Sequence, residues 1–154
     1  MKGLRLMVKT AVLGGMLFFM PAALSALTLT KNQDMQFGYF VGGSGFSGTV
    51  TIDTSGARRA SGSVRLLGAA YSPARYALYG TPGEAYNLML PDSLTLAAAG
   101  DQLVVSELTC SVPVSGTVPP SGSLAIALGG TVTVKPNQRS SAYLGSFDLS
   151  VTGN

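Results

Sequence analysis

From residue 33 onward the side chains alternate between apolar and polar, and that periodicity restricts the chain to β structure. In a strand successive side chains leave opposite faces, whereas a helix would need apolar residues every three to four positions. The clearest run places Leu124, Ile126, Leu128, Gly130, Val132 and Val134 on one parity, with Ala125, Ala127, Gly129, Thr131 and Thr133 between them. This is the pattern of a strand with one face buried, and Gly129-Gly130 marks a bulge or bend within it. The last segment repeats the pattern: Tyr143, Gly145, Phe147, Leu149 and Val151 share one face, and Asp148 identifies the other as the wet one.

Shorter alternating segments precede these, at Met35 to Val41, Val50 to Ile52, Val64 to Leu66, Tyr76 to Leu78, Tyr86 to Leu90, Leu94 to Leu96 and Leu103 to Val105. Turn-forming residues separate them, including Gly42-Gly43-Ser44-Gly45, Ser55-Gly56, Thr81-Pro82-Gly83, Ala99-Gly100-Asp101 and Pro136-Asn137. About eight or nine short strands at such spacing predict an all-β, antiparallel, immunoglobulin-like β-sandwich. Only Leu94 to Gly100 tolerates a helix, and it is too short to hold one alone.

The first 26 residues follow a different logic. Lys2, Arg5 and Lys9 precede an apolar run, Thr10 to Met20, and a small-residue exit follows at Pro21-Ala22-Ala23-Leu24-Ser25-Ala26. These are the parts of a secretory signal peptide, and the apolar run is far shorter than the roughly 20 residues of a spanning helix. Cleavage is expected after Ser25, with Ala23 and Ser25 at the small-residue positions, or after Ala26. The expected organisation is therefore a signal peptide over 1–26 and one β-sandwich domain over 27–154. The product would be exported, to the periplasm, the cell surface or the medium.

Removing the leader changes the charge. Three of the ten basic residues lie in it, leaving seven against seven acidic ones. The sequence pI of about 9.2 therefore belongs largely to the leader, and the mature part lacks the basic footprint of a nucleic-acid binder. Arg58-Arg59 is its only basic pair and reads as a solvated turn. Cys110 is the single cysteine, so no intrachain disulfide is possible, and it reads as a small apolar residue in or beside a strand.

An ordered set of short motifs resembles a known family. It begins with Phe37-Gly38-Tyr39-Phe40-Val41-Gly42-Gly43, Gly48-Thr49-Val50-Thr51-Ile52 and Ser55-Gly56-Ala57-Arg58. It continues through Ser72-Pro73-Ala74-Arg75, Gly80-Thr81-Pro82-Gly83, Gly129 to Val134, Asn137-Gln138 and Tyr143-Leu144-Gly145-Ser146-Phe147. Together these resemble the bacterial domain of unknown function family 4402 over nearly all of residues 33–152. The resemblance implies an exported immunoglobulin-like sandwich, distantly like pilus-subunit or spore-coat domains, and carries over no catalytic residue. Cys110 and the absence of a closing aromatic near Val151 depart from the family pattern.

The residues themselves argue against an enzyme. The chain has no histidine, which removes Ser-His-Asp and Cys-His nucleophile systems and the commonest zinc ligand. Gly43-Ser44-Gly45-Phe46-Ser47-Gly48 matches G-x-G-x-x-G, but a strand follows where a dinucleotide site needs a helix N-terminus, so it reads as a hairpin loop. The acidic residues sit beside turns or on wet faces, and no catalytic, cofactor or metal site is expected. Tyr76 and Tyr79 differ in parity, so Tyr71, Tyr76, Tyr79 and Tyr86 are not expected to form one sugar-stacking platform.

Two functions remain. The first is a non-catalytic structural or surface-assembly protein, pilus-like or coat-like, that associates with itself or with assembly machinery through sheet edges. Leu27 and Leu29, alternating with Thr28 and Thr30, are a candidate donor arm for that pairing, or the first strand of the chain's own sheet. The alternative is a small-ligand or glycan-binding module using end loops, with Gly43, Gly45, Gly48, Tyr79 and Glu84 as the candidate residues.

Overall fold

The computed structural model describes residues 26–68, 70–139, 141–143 and 145–153. The expected signal peptide, with Ala23 and Ser25, lies outside them; Ala26 is exposed just ahead of the first strand. All regular structure among the described residues is β and every pairing is antiparallel.

The organising element is β11, Ser123–Val134. Leu128 pairs with both Ala74 and Cys110, while Thr131 to Thr133 pair with both β3 (Gly48–Ile52) and β9 (Asp101–Cys110). A strand has only two edges, so β6 (Ala74–Tyr79) and β3 must follow one another along one edge while β9 takes the other. The handover falls at Gly129. A Cβ there would meet the Ile52 carbonyl oxygen and come within 2.8 Å of Thr109 Oγ1. On the opposite edge Gly130 faces two residues of β9, Glu107 and Leu108, in a bulge that Glu107 enters at φ 51°. The irregularity expected at Gly129-Gly130 is present, and the extra residue belongs to the partner strand. Ala127, Gly129 and Thr131 are also buried, so the middle of β11 is covered on both faces instead of one.

Around β11 the large sheet continues to β1 (Thr28–Gln33) beyond β6, to β4 (Arg58–Gly62) beyond β3 and to β8 (Leu94–Ala98) beyond β9. A three-stranded sheet, β10 (Ser115–Thr117), β7 (Ala85–Met89) and β12 (Ser150–Gly153), packs across it. Tyr86 and Leu88 of the small sheet meet Leu78, Ile126 and Leu128 of the large one in the first core cluster. A second cluster, Val50, Leu103, Val105, Val132 and Val134, lies further along and has no strand of the small sheet over it. Its cover is Phe37, Phe40, Val64, Leu66 and Tyr143, from loops and the two-residue ribbon β2 (Phe40–Val41) with β5 (Arg65–Leu66).

Among the described residues twelve strands stand where eight or nine were expected. β4 and β10 were illegible because they alternate nothing apolar: they sit at sheet margins and join through their backbones. Leu94 to Gly100 is β8 plus a two-residue turn, Ala99 and Gly100, both at positive φ. The expected strand from Met35 to Val41 breaks at Gly38, whose φ of 70° shifts the parity. Phe40 therefore faces inward and Tyr39 is 71% exposed. Gly145 to Leu149 is not regular strand, although Phe147 and Leu149 face inward as the alternation predicts.

Arg58 explains the Gly38 break. Its Nη1 donates to Phe37 O at 3.1 Å and its Nη2 to Leu67 O at 2.8 Å, and its guanidinium lies 4.3 Å from the Tyr71 ring centre. The reading of a solvated pair is corrected: Arg58 clamps two loops of the cover, and only Arg59 is exposed. A Cβ at residue 38 would collide with that guanidinium.

The Gly129→Ala variant is expected to lose about 1–3 kcal/mol of stability by overpacking, read as a lower urea midpoint. Gly45→Ala, at a site with nothing within 4 Å, is expected to stay within about 0.5 kcal/mol. Equal midpoints for the two variants would contradict the handover at Gly129.

Candidate functional site

The uneven cover leaves a cavity of about 970 Å³ between the large sheet and the loops above it. Leu94 and Leu96 of β8, Leu103 of β9 and Val132 and Val134 of β11 form the floor, continued by Ala74 and Tyr76 of β6. Met35, Phe37, Phe40, Tyr143 and Phe147 contribute from the covering segments. Tyr76 belongs to the first core cluster, on which Met35 and Phe147 pack, and Phe37, Phe40 and Tyr143 pack on the second. The space thus lies where two hydrophobic clusters on one sheet face fail to merge.

Polar groups mark its two ends. Tyr76 is 7% exposed and meets the Phe147 ring edge-on at 6.5 Å between centroids. Burial pushes its phenol above the usual range; Lys31 opposes that shift, and Asp34 and Asp148 add to it. Lys31 and Asp34, also on the lining, form an exposed ion pair at 2.7 Å. The bond to Asp34 and its charge hold the Lys31 ammonium above its usual value.

At the other end Gln138 Nε2 donates to Asp101 Oδ2 at 2.6 Å and to Tyr143 Oη at 2.9 Å. The Tyr143 hydroxyl lies 3.1 Å from the same Asp101 oxygen and 2.9 Å from Arg139 O. Turning the amide around would aim its oxygen at a carboxylate, so Asp101 fixes its orientation, and Gln138 Oε1 is left buried without a partner. The Gln102 backbone N–H, foremost, and then the Tyr143 and Gln138 contacts hold the Asp101 carboxyl below its ordinary value of 3.8. Among the described residues no group of three or more His, Cys, Asp or Glu side chains converges to hold a metal.

The structure separates the residues expected to form a binding surface. Gly48 pairs with Val134 at one end of β11, while Tyr79 pairs with Ser123 at the other. Eleven residues of strand at about 3.3 Å each keep these ends some 36 Å apart along the chain. Gly43 and Gly45 lie in the arm of a long irregular hairpin, in which β3–β4 is nested inside β2–β5. The reading of the glycine motif as a hairpin loop is corrected accordingly: the turn itself is Asp53 to Ala57, closed by Asp53 Oδ1 accepting from the Ser55 and Ala57 N–H groups. Glu84 closes a separate turn, its Oε2 accepting from Thr81 N at 2.9 Å. Tyr76 and Tyr86 are buried while Tyr71 and Tyr79 are about half exposed, and within β6 the opposite parity of Tyr76 and Tyr79 accounts for their split. Cys110 ends β9, half-buried beside the first cluster. Leu27 and Leu29 pack on that cluster too, as β1 pairs with β6 from Thr28↔Tyr79 onward.

The Asp101–Gln138–Tyr143 group had no signature in the sequence, since β9, β10 and β11 run between the Asp101 side chain and Gln138. The aromatic alternation at 35–41 and 143–147 was the available signal, read as strands when its residues line a cavity.

Because the carboxyls of Asp101 and Asp53 titrate below 3.8 in the fold, their ionised forms stabilise it. That contribution is complete above about pH 4 and is lost as pH falls through the lowered values. The urea midpoint of Asp101→Asn is expected to fall less between neutral pH and about pH 3 than that of the unaltered chain, and parallel curves would contradict this.

No curated protein and no solved structure matches the chain. Residues 27–152, which span all twelve strands but for the last residue of β12, match the family model described as domain of unknown function DUF4402, and the chain belongs to that family.

Proposed function

We propose that this protein is a non-catalytic, exported module that builds a surface assembly, pilus-like or coat-like, by pairing sheet edges between chains. The observation that carries the reading is β1. It is bonded along one edge only, to β6, and five of its six residues are exposed. Leu29, with Leu27 just before the strand, supplies its hold on the core. An arm so lightly buried is exchangeable, because the β6 edge presents the same donors and acceptors to the β1 of a second copy as to its own. The opposite margin of the sheet, β4, is likewise paired on one side and exposed along Arg59 to Gly62. The apolar leader at residues 10–20 motivates export. The neutral charge of the mature part and the absence of histidine disfavour nucleic-acid binding and nucleophilic catalysis. A glycan site built jointly from the two loop sets is not favoured, since they occupy opposite ends of β11.

Sedimentation velocity at rising protein concentration tests the reading. The intact chain is expected to form concentration-dependent oligomers, and deletion of residues 27–32 to abolish them while an added peptide of residues 27–33 binds the truncated chain. A chain that remains monomeric throughout, or oligomers that survive the deletion, would refute it.

A further inference from the structure

We infer that the outer face of the β2–β5 ribbon, with the glycine-rich loop beside it, docks on an anionic lipid bilayer, its apolar side chains entering the interface and its cations meeting the headgroups. Five of the nine large apolar side chains exposed among the described residues belong to this small part of the chain: Tyr39, Val41, Phe46, Leu67 and Tyr71. Register explains the grouping. Val41 faces Arg65 and Phe40 faces Leu66 across the ribbon, and Leu67 N donates to Tyr39 O at 2.9 Å. Phe40 and Leu66 fill the inward side against the second core cluster, so Tyr39, Val41, Arg65 and Leu67 share the outward one. Tyr71 adjoins them over the Arg58 guanidinium, which is itself bonded to Leu67 O. Phe46, 64% exposed, extends the surface past Ser63, whose hydroxyl donates to Phe46 O. A grouped apolar surface of this kind on a folded chain marks a docking site.

The charge around that surface selects the occupant. The mature part is neutral as a whole, but residues 35–48, 58–72 and 134–139, which build the ribbon and the loops at its end, hold Arg58, Arg59, Arg65, Lys135 and Arg139 and no carboxylate. The last of these segments is tied to the glycine-rich loop by Asn137 N, which donates to Gly43 O at 3.3 Å. Asp101 is engaged by Gln138 and Tyr143, and Asp34 by Lys31. Cations are attracted to an anionic bilayer, and aromatic rings settle at its headgroup boundary. A saccharide is disfavoured, because the outward face offers its hydroxyls no amide or carboxylate and Arg58 directs both terminal nitrogens to Phe37 O and Leu67 O. A second copy is disfavoured too, because a two-fold contact through this face would bring two carboxylate-free basic surfaces together.

The chain has no tryptophan, so Phe46→Trp puts a single such fluorophore at the loop. Vesicles of equal parts phosphatidylglycerol and phosphatidylcholine are expected to shift its emission to the blue and to carry the full chain with them on flotation. Vesicles of phosphatidylcholine alone should bind at least about tenfold more weakly, and added salt should reverse the shift. Arg65→Gln and Lys135→Gln are each expected to weaken binding about fivefold, the worth of one cation at such a surface, and Tyr39→Ser about tenfold through lost apolar area. Met89→Ser, which alters a half-exposed apolar side chain of the small sheet, is expected to change nothing. All these residues are exposed, so each variant should keep the circular dichroism of the unaltered chain. The fluorophore reports its own surroundings, so an apolar leader that binds the vesicle by itself does not imitate the shift. No shift, an equal shift with neutral vesicles, or binding that survives both Arg65→Gln and Tyr39→Ser would overturn the inference. So would variants that abolish oligomers while vesicles are never bound, since the face would then be an interface between copies. The vesicle readouts do not depend on pairing at β1, so they stand apart from the test of assembly.

Discussion

One strand serving three partners is the constraint from which the rest of this fold follows. β11 can hold β6 and then β3 along a single edge only if the chain at the handover carries no side chain, because the end of β3 arrives where a Cβ would be. Gly129 meets that requirement, and the bulge at Glu107 and Leu108 lets β9 follow the same irregularity on the other edge. The large sheet is in consequence one continuous hydrogen-bonded surface whose two halves have different neighbours.

That difference decides how the core is built. Over β6 and the first half of β11, the small sheet supplies Tyr86 and Leu88 and the packing is strand against strand. Over β3, β9 and the second half of β11, the cover is irregular chain tied down by polar clasps. Arg58 holds the segments at Phe37 and Leu67, and Asp101, through Gln138 and Tyr143, holds the segment beyond Pro136. Loops fastened at their polar groups cannot interdigitate as two pleated faces do. A cavity between the two clusters is the result, and its position reflects the architecture of the whole sandwich.

The sheet margins and the space under the covering loops are different parts of this design. The margins β1 and β4 expose backbone groups with little side-chain burial behind them, which suits association between chains. The space under the loops has an apolar floor of Leu103, Val132 and Val134, with exposed Lys31, Asp34 and Arg139 on its lining. Family membership leaves the use of both open, since the family is defined by its domain and not by an activity.

Alternation by itself determined that this chain forms antiparallel sheets, which parity of most apolar strands faces inward, and where most turns fall. Those are local matters: a strand with one wet face needs period two, and a tight turn needs glycine, proline or asparagine whatever surrounds it. Tertiary structure alone decided the strands that carry no apolar pattern, β4 and β10, because a margin strand is selected by backbone pairing rather than by side-chain burial. It also decided the parity shift at Gly38, which exists to admit an arginine 20 residues away in sequence, and the meeting of Asp101 with Gln138 and Tyr143. The cavity was least legible of all, since its walls read as ordinary strand residues, and only the placement of the covering loops over the large sheet determines whether such residues touch one another or leave a space.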